Sequence, residues 1–139
     1  MDNRRETGQA LVEFALAVTV FLVLLMTVVD FGRGIYLYNG VSEAAREIAR
    51  ATSVHPGMLL GGSAETSETV TTQQSLVPGL SAPVITCVDI AGAPVTEACV
   101  PGDWVRVSVS APYDPVTPLL SIGGLGHFVM QSTSTVQIQ

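Results

Sequence analysis

Hydrophobic positions divide the chain into stretches of different period. From Ala10 to Val29 nearly every residue is Ala, Val, Leu, Phe or Met, and Glu13 is the only charge. That is about the 20 residues with which an α-helix crosses a hydrocarbon core. Beyond Asp30 the run turns amphipathic, with Phe31, Ile35, Tyr38, Val41, Ala45, Ile48 and Ala49 recurring at the three- and four-residue steps of a helix with one buried face. The spacing therefore predicts one helix from about Gln9 to Ser53, roughly 65–70 Å long at 1.5 Å per residue. Gly32, Gly34 and Gly40 each weaken it by up to ~1 kcal/mol relative to Ala, so they mark a bend or a close contact. A bend just above the apolar half is the expectation. His55-Pro56-Gly57 supplies the stop signals.

From Pro56 to Pro83 the chain is rich in Gly, Ser and Thr, with a short helix expected near Thr66 to Val77 and a turn at Pro78-Gly79. After that the period becomes two. Val84–Ile90, Val95–Val100, Trp104–Ala111 and Phe128–Ile138 alternate or are β-branched, and Pro/Gly clusters separate them. The clearest alternation sets Val105, Val107, Val109 and Ala111 on one face against Trp104, Arg106, Ser108 and Ser110 on the other. The expected fold class is α+β: a long N-terminal helix, membrane-spanning in its first half, packed against a small C-terminal antiparallel sheet. Trp104 and Tyr113 are read as core residues in preference to partner anchors.

Composition sharpens this picture. The 139 residues are 47% hydrophobic and 13% charged, with a mean hydropathy of +0.46, as suits a chain with one membrane span and a small head. The formal charge is −6, there is no Lys, and the cations are Arg4, Arg5, Arg33, Arg46, Arg50 and Arg106. Nothing here concentrates the positive charge a nucleic-acid binder needs. Asp30 with Arg33, Glu43 with Arg46 and Glu47 with Arg50 are i,i+3 pairs, read as support for a solvated helix face at a few tenths of a kcal/mol each.

The start of the apolar run carries a more specific arrangement. Arg4-Arg5-Glu6-Thr7-Gly8 is a short polar stretch followed by Gln9-Ala10-Leu11-Val12-Glu13. On the far side Val28-Val29-Asp30-Phe31-Gly32-Arg33 continues the helix and offers no small-residue site for removal of a secretory signal. Gly, four residues, then Glu at the head of a spanning helix resembles a type IV prepilin processing site. Together with Phe14-Ala15, Val29-Asp30-Phe31-Gly32-Arg33 and Ala44-Ala45-Arg46-Glu47, it resembles the TadE-like pilin and pseudopilin family of tight-adherence systems.

That resemblance covers about the first third of the chain. It implies cleavage of the Gly8–Gln9 bond by a prepilin peptidase, and assembly through Glu13 and Phe14. The partners implied are other pilin subunits, the peptidase, the pilus assembly platform and the membrane. An intramembrane carboxylate costs several kcal/mol unless paired or held near the headgroups. The α-amine of a neighbouring subunit's Gln9 could pair with Glu13; the alternative is a Glu13 that snorkels or is protonated. The expected divisions are a leader at 1–8, a transmembrane helix at 9–29, its outer extension at 30–55, a linker at 56–82 and a β head at 83–139. The positive-inside rule does not orient the span, because arginines flank both ends. The resemblance and the two cysteines place the N-terminus in the cytoplasm and the head outside the inner membrane.

Cys87 and Cys99 flank Ala91-Gly92-Ala93-Pro94. In a hairpin centred on Ala93 they face each other, as do Ile90 and Thr96, so a cross-strand disulfide is expected. Two free buried thiols, or half a metal site, are the alternatives. No cofactor and no enzymatic activity are expected: His55 and His127 lie in no catalytic motif, and Asp89, Glu97, Asp103 and Asp114 show no acid/base spacing. The exposed head is longer than that of the very short major pilins, which favours a minor pilin over the major filament subunit. An uncut membrane-anchored binding domain is the rival from another class.

Overall fold

In the computed structural model of the chain, residues 3–55, 60–95, 99–117 and 126–139 are described, without the side chains of residues 3–7. The first element is one α-helix, α1 (Asn3–Val54), 52 residues long. Two lengths of it behave differently. Between Gly8 and Val29 almost every residue is exposed, whereas Val41, Ala44, Ala45, Ile48 and Ala49 are fully buried. Only the second half finds a partner, because only there does the sequence confine its apolar groups to one face.

That partner is a three-stranded antiparallel sheet in the order β1-β2-β3, with β1 (Val84–Val88), β2 (Trp104–Tyr113) and β3 (Phe128–Gln137). Along β2 the predicted alternation holds: Val105, Val107, Val109 and Ala111 face the helix and are buried, while Arg106, Ser108 and Ser110 face outward. Alanines on the facing turns of α1 let the valines approach closely, which fills the interface without long side chains. The sheet runs along α1 from Asp30, whose carbonyl accepts from the Tyr113 hydroxyl at 2.6 Å, to Ser53, whose carbonyl accepts from the Gln139 amide at 3.4 Å.

A second helix, α2 (Ala64–Leu76), packs on α1. Its composition is poor for a helix, but Ser63 caps it by accepting from the Thr66 amide at 3.1 Å. Thr66 is fully buried, and Val77, at the helix end, joins the core. The expected turn at Pro78-Gly79 follows.

The helix runs without interruption through Gly32, Gly34 and Gly40, and of the three Gly40 stands at a close contact. A methyl at Gly34 would lie 3.7 Å from Met130 Cε, and one at Gly40 only 3.1 Å from Val77 Cγ2. Phe31, Ile35 and Tyr38 were expected on the buried face but remain exposed; the sheet docks on the helix side that carries Gly34, Val41 and Ala44. Trp104 is only half-buried on the outer face, whereas Tyr113 is buried as expected. The strand expected over Val95–Val100 does not form at Val95, Cys99 or Val100, and 96–98 lie outside the described residues, as do Pro56 and Gly57 of the expected helix stop.

The turn after β1 centres on Ala91, not Ala93. The Asp89 amide donates to the Ala93 carbonyl at 2.9 Å, and the Val95 amide to the Cys87 carbonyl at 2.9 Å. Asp89 dictates this, its carboxylate accepting from the Ala91 and Ala93 amides at 2.9 and 2.8 Å while Gly92 takes φ +83. Cys87 therefore faces Val95 across the turn and Val105 across the β1–β2 ladder, not Cys99. It is nonetheless joined to Cys99 by a disulfide, with a Cα–Cα distance of 5.9 Å, because the chain returns past it outside any strand.

Candidate functional site: the uncovered helix and its junction with the head

The first half of α1 has no polar side to present to water. Leu11, Val12, Phe14, Leu16, Val20, Phe21 and Leu24 are each more than half exposed, all around the helix. Thr19 and Thr27 hide their hydroxyls by donating to the Ala15 and Val23 carbonyls at 2.8 Å, so the polar atoms in the run are satisfied internally. The helix is long and apolar enough to cross a membrane, and its most apolar window is wholly uncovered by the rest of the chain. An apolar core helix of a soluble protein would be covered. The arrangement is that of a single-pass membrane anchor.

At the start of this segment Gly8, Gln9, Glu13 and Phe14 are all exposed. The Gln9 side-chain amide donates to Glu13 Oε1 at 3.2 Å, one turn away on the same helix. Helical geometry thus brings these two predicted residues together, and Phe14 lies beside them on open surface. Gly8 has nothing within 4 Å of where a Cβ would stand, and the Gly8–Gln9 bond lies inside α1.

The other end of the apolar run is built around a residue that sequence reading treats as ordinary helix support. Asp30 is only 2% exposed. Its carboxylate accepts from the Val116 amide at 2.9 Å, from the Thr117 amide at 2.8 Å and from the Thr117 hydroxyl, while Arg33 stands 3.4 Å away. These bonds tie the segment after β2 to the helix at the point where it leaves the apolar run. The Thr117 hydroxyl first, then the Val116 amide, hold Asp30 below the usual carboxylate range against the opposing effect of burial, with help from the Thr117 amide and Arg33. Burial, and then the Asp30 charge, push the Tyr113 phenol up. Arg33 also lies over the Tyr113 ring, 5.9 Å from its centroid. Asp30 and Thr117 are 87 positions apart; the only local signal was an acid directly at the end of the long apolar run.

The remaining ion pairs are as expected, with Arg46 3.6 Å from Glu43 and Arg50 2.7 Å from Glu47 on the exposed face of α1. Asp114 and His127, which sequence spacing did not connect, meet through Oδ1 and Nδ1. Both are exposed. Among the described residues no group of three or more His, Cys, Asp or Glu is placed to hold a metal ion.

The family model described as TadE-like protein matches residues 8–50 of this chain. The match begins at Gly8 and covers the apolar run, the Asp30 junction and most of the core-facing turns of α1, so the chain carries the TadE-like signature on its long helix. Residues 51–139, including the whole sheet, lie outside the match. The family and the uncovered helix together indicate a membrane protein related to the tight-adherence pilus. No curated protein and no solved structure matches the chain.

Proposed function

We propose that the chain is a pilin-like subunit, cut by a prepilin peptidase at the Gly8–Gln9 bond, that assembles through α1 into a tight-adherence type IV pilus or at its base or tip. The observation that carries this is the division of α1: a TadE-like helix whose first half is apolar on every side and uncovered, with the head confined to the second half. Such a surface needs lipid or other apolar helices around it. Both suit the same residues, so a subunit can stand in the inner membrane, N-terminus in the cytoplasm and head outside, and later enter a bundle of like helices. Its role is structural, not catalytic.

Cleavage changes the chemistry around Glu13. In the uncut helix Glu13 accepts from the neutral Gln9 side chain. After cleavage Gln9 carries an α-amine, a cation that pairs with a neighbouring subunit's Glu13 and offsets the cost of a carboxylate among apolar helices. The assembly platform and other pilins are the partners this chemistry calls for. The long head favours a minor subunit over the major filament subunit.

One observation favours an uncut anchor instead: α1 runs unbroken through the Gly8–Gln9 bond, so a peptidase must first unwind its initial turns. Mass spectrometry of the N-terminus of membrane-purified protein, from cells with and without the prepilin peptidase and from a Gly8→Leu variant, separates the two. Cleavage before Gln9 that needs both the peptidase and Gly8 is the expected result. An intact Met1 to Gly8 in every sample would leave a membrane-anchored head with no assembly role.

A further inference from the structure

We propose that the membrane-proximal end of the head is itself seated in the outer headgroup layer of the bilayer, with phospholipid filling the apolar groove between α1 and the β2–β3 end. The inference rests on the first half of α1 spanning the membrane and says nothing of cleavage. The groove has a volume of about 540 Å³, and Phe31, Gly34, Ile35, Tyr113, Phe128 and Met130 line most of it. It is open and nearly free of polar surface. Phe31 stands 71% exposed, Phe128 41% and the adjoining Val129 60%, an apolar rim that water solvates poorly.

Its position names the occupant. The groove includes Thr27 of the apolar run, so it is continuous with the surface that meets lipid. At 1.5 Å per residue, Phe31 lies about 3 Å beyond Val29 along the helix and Gly34 about 7–8 Å. The headgroup layer is about 5–8 Å deep on each side of the hydrocarbon core. Phe128 is held at this depth, because its ring packs 5.0 Å from that of Tyr113, whose hydroxyl is bonded to the Asp30 carbonyl. Tyrosine favours this layer, and Tyr113 lines the groove. The polar groups at the same level suit it too: Arg33, half-exposed, can reach lipid phosphate, and Asp114 is already paired with His127. The far end of the sheet, at Trp104 and Gln137, lies near Ser53, more than 30 Å higher by the same helical rise, and the groove beside Trp104 is about 280 Å³ and lined by Asp89 and Arg106 as well as by apolar residues.

The test is depth-dependent quenching in full-length protein reconstituted into phosphatidylcholine vesicles containing lipids brominated at defined acyl positions. Trp104 is the only tryptophan, so three single-tryptophan proteins suffice: the native chain, Trp104→Phe with Phe128→Trp, and Trp104→Phe with Phe21→Trp. The expected result is a blue-shifted Phe128→Trp protein that loses emission to shallow bromines, a Phe21→Trp protein quenched by deep ones, and an unquenched Trp104. A quenched Phe21→Trp protein beside an unquenched Phe128→Trp protein would overturn the seat while leaving the span intact. If that unquenched emission were also blue-shifted, protein would be covering the groove, from a second copy if the shift follows protein density. Loss of quenching at all three positions would overturn the membrane anchor as well.

Discussion

The Cys87–Cys99 bridge offers a stability measurement whose size can be worked out beforehand. It joins residues 12 positions apart, and closing a loop of that length in the unfolded chain is worth roughly 3 kcal/mol at 25 °C. A domain of this size has a total of about 5–15 kcal/mol, so opening the bridge removes a substantial share without breaching the main core, since β1 stays paired to β2 from Val84 to Val88. Trp104, opposite Val88 in the ladder, reports unfolding of this region by its fluorescence. For detergent-solubilised protein in urea, with an m value of about 1–2 kcal/mol/M, the midpoint should fall by roughly 1.5–3 M when the bridge is reduced. The double variant Cys87→Ala/Cys99→Ala should fall by nearly the same amount, because both lose loop closure. A shift below about 0.5 M on reduction would refute this account; it would mean that the turn built on Asp89 already restricts the unfolded loop. A much larger loss in the double variant would place the stabilisation in packing of the buried Cys87 side chain instead.

Other outcomes follow from single contacts. Ile48→Ala, at a fully buried position between α1 and the sheet, should cost about 2–5 kcal/mol in the same urea assay. Gly34→Ala should raise stability by up to ~1 kcal/mol, since the new methyl meets only ordinary contacts at 3.7–3.9 Å, whereas Gly40→Ala should gain less because Val77 Cγ2 lies 3.1 Å away. Asp30 has a folded-state pKa below its unfolded value, so its contribution is complete above about pH 3.9 and is lost as pH falls from there through the lower folded value. A Trp104-monitored pH titration should show this acid limb in the native chain. Asp30→Asn should lose it; an unchanged limb in that variant would assign it to other carboxylates.

Much of the architecture follows from local pattern alone. A run of twenty residues in which only Glu13, Thr19 and Thr27 are polar can satisfy its backbone only as a helix and its side chains only in lipid or among other helices, so the anchor was legible from Ala10 to Val29. The period-two run at Val105 to Ala111 likewise fixed which face of β2 is buried, because pleating leaves no other choice. Gln9 and Glu13 could be placed side by side from their four-residue spacing, and the TadE-like motifs lie in this same locally determined third. Contacts between distant segments decided the rest. Asp30 reads locally as an i,i+3 partner of Arg33, and nothing nearby reveals that Val116 and Thr117 will close over it. Phe31, Ile35 and Tyr38 repeat with a core-facing period, yet the sheet packs on the side carrying Gly34, leaving them for another environment. The cysteines meet although the turn centres two residues from where their spacing placed it, because Asp89 sets the turn and the chain's return path brings Cys99 back. Helix and strand periods are properties of neighbouring residues; which side of a helix receives the sheet depends on close packing between segments that are far apart in the chain.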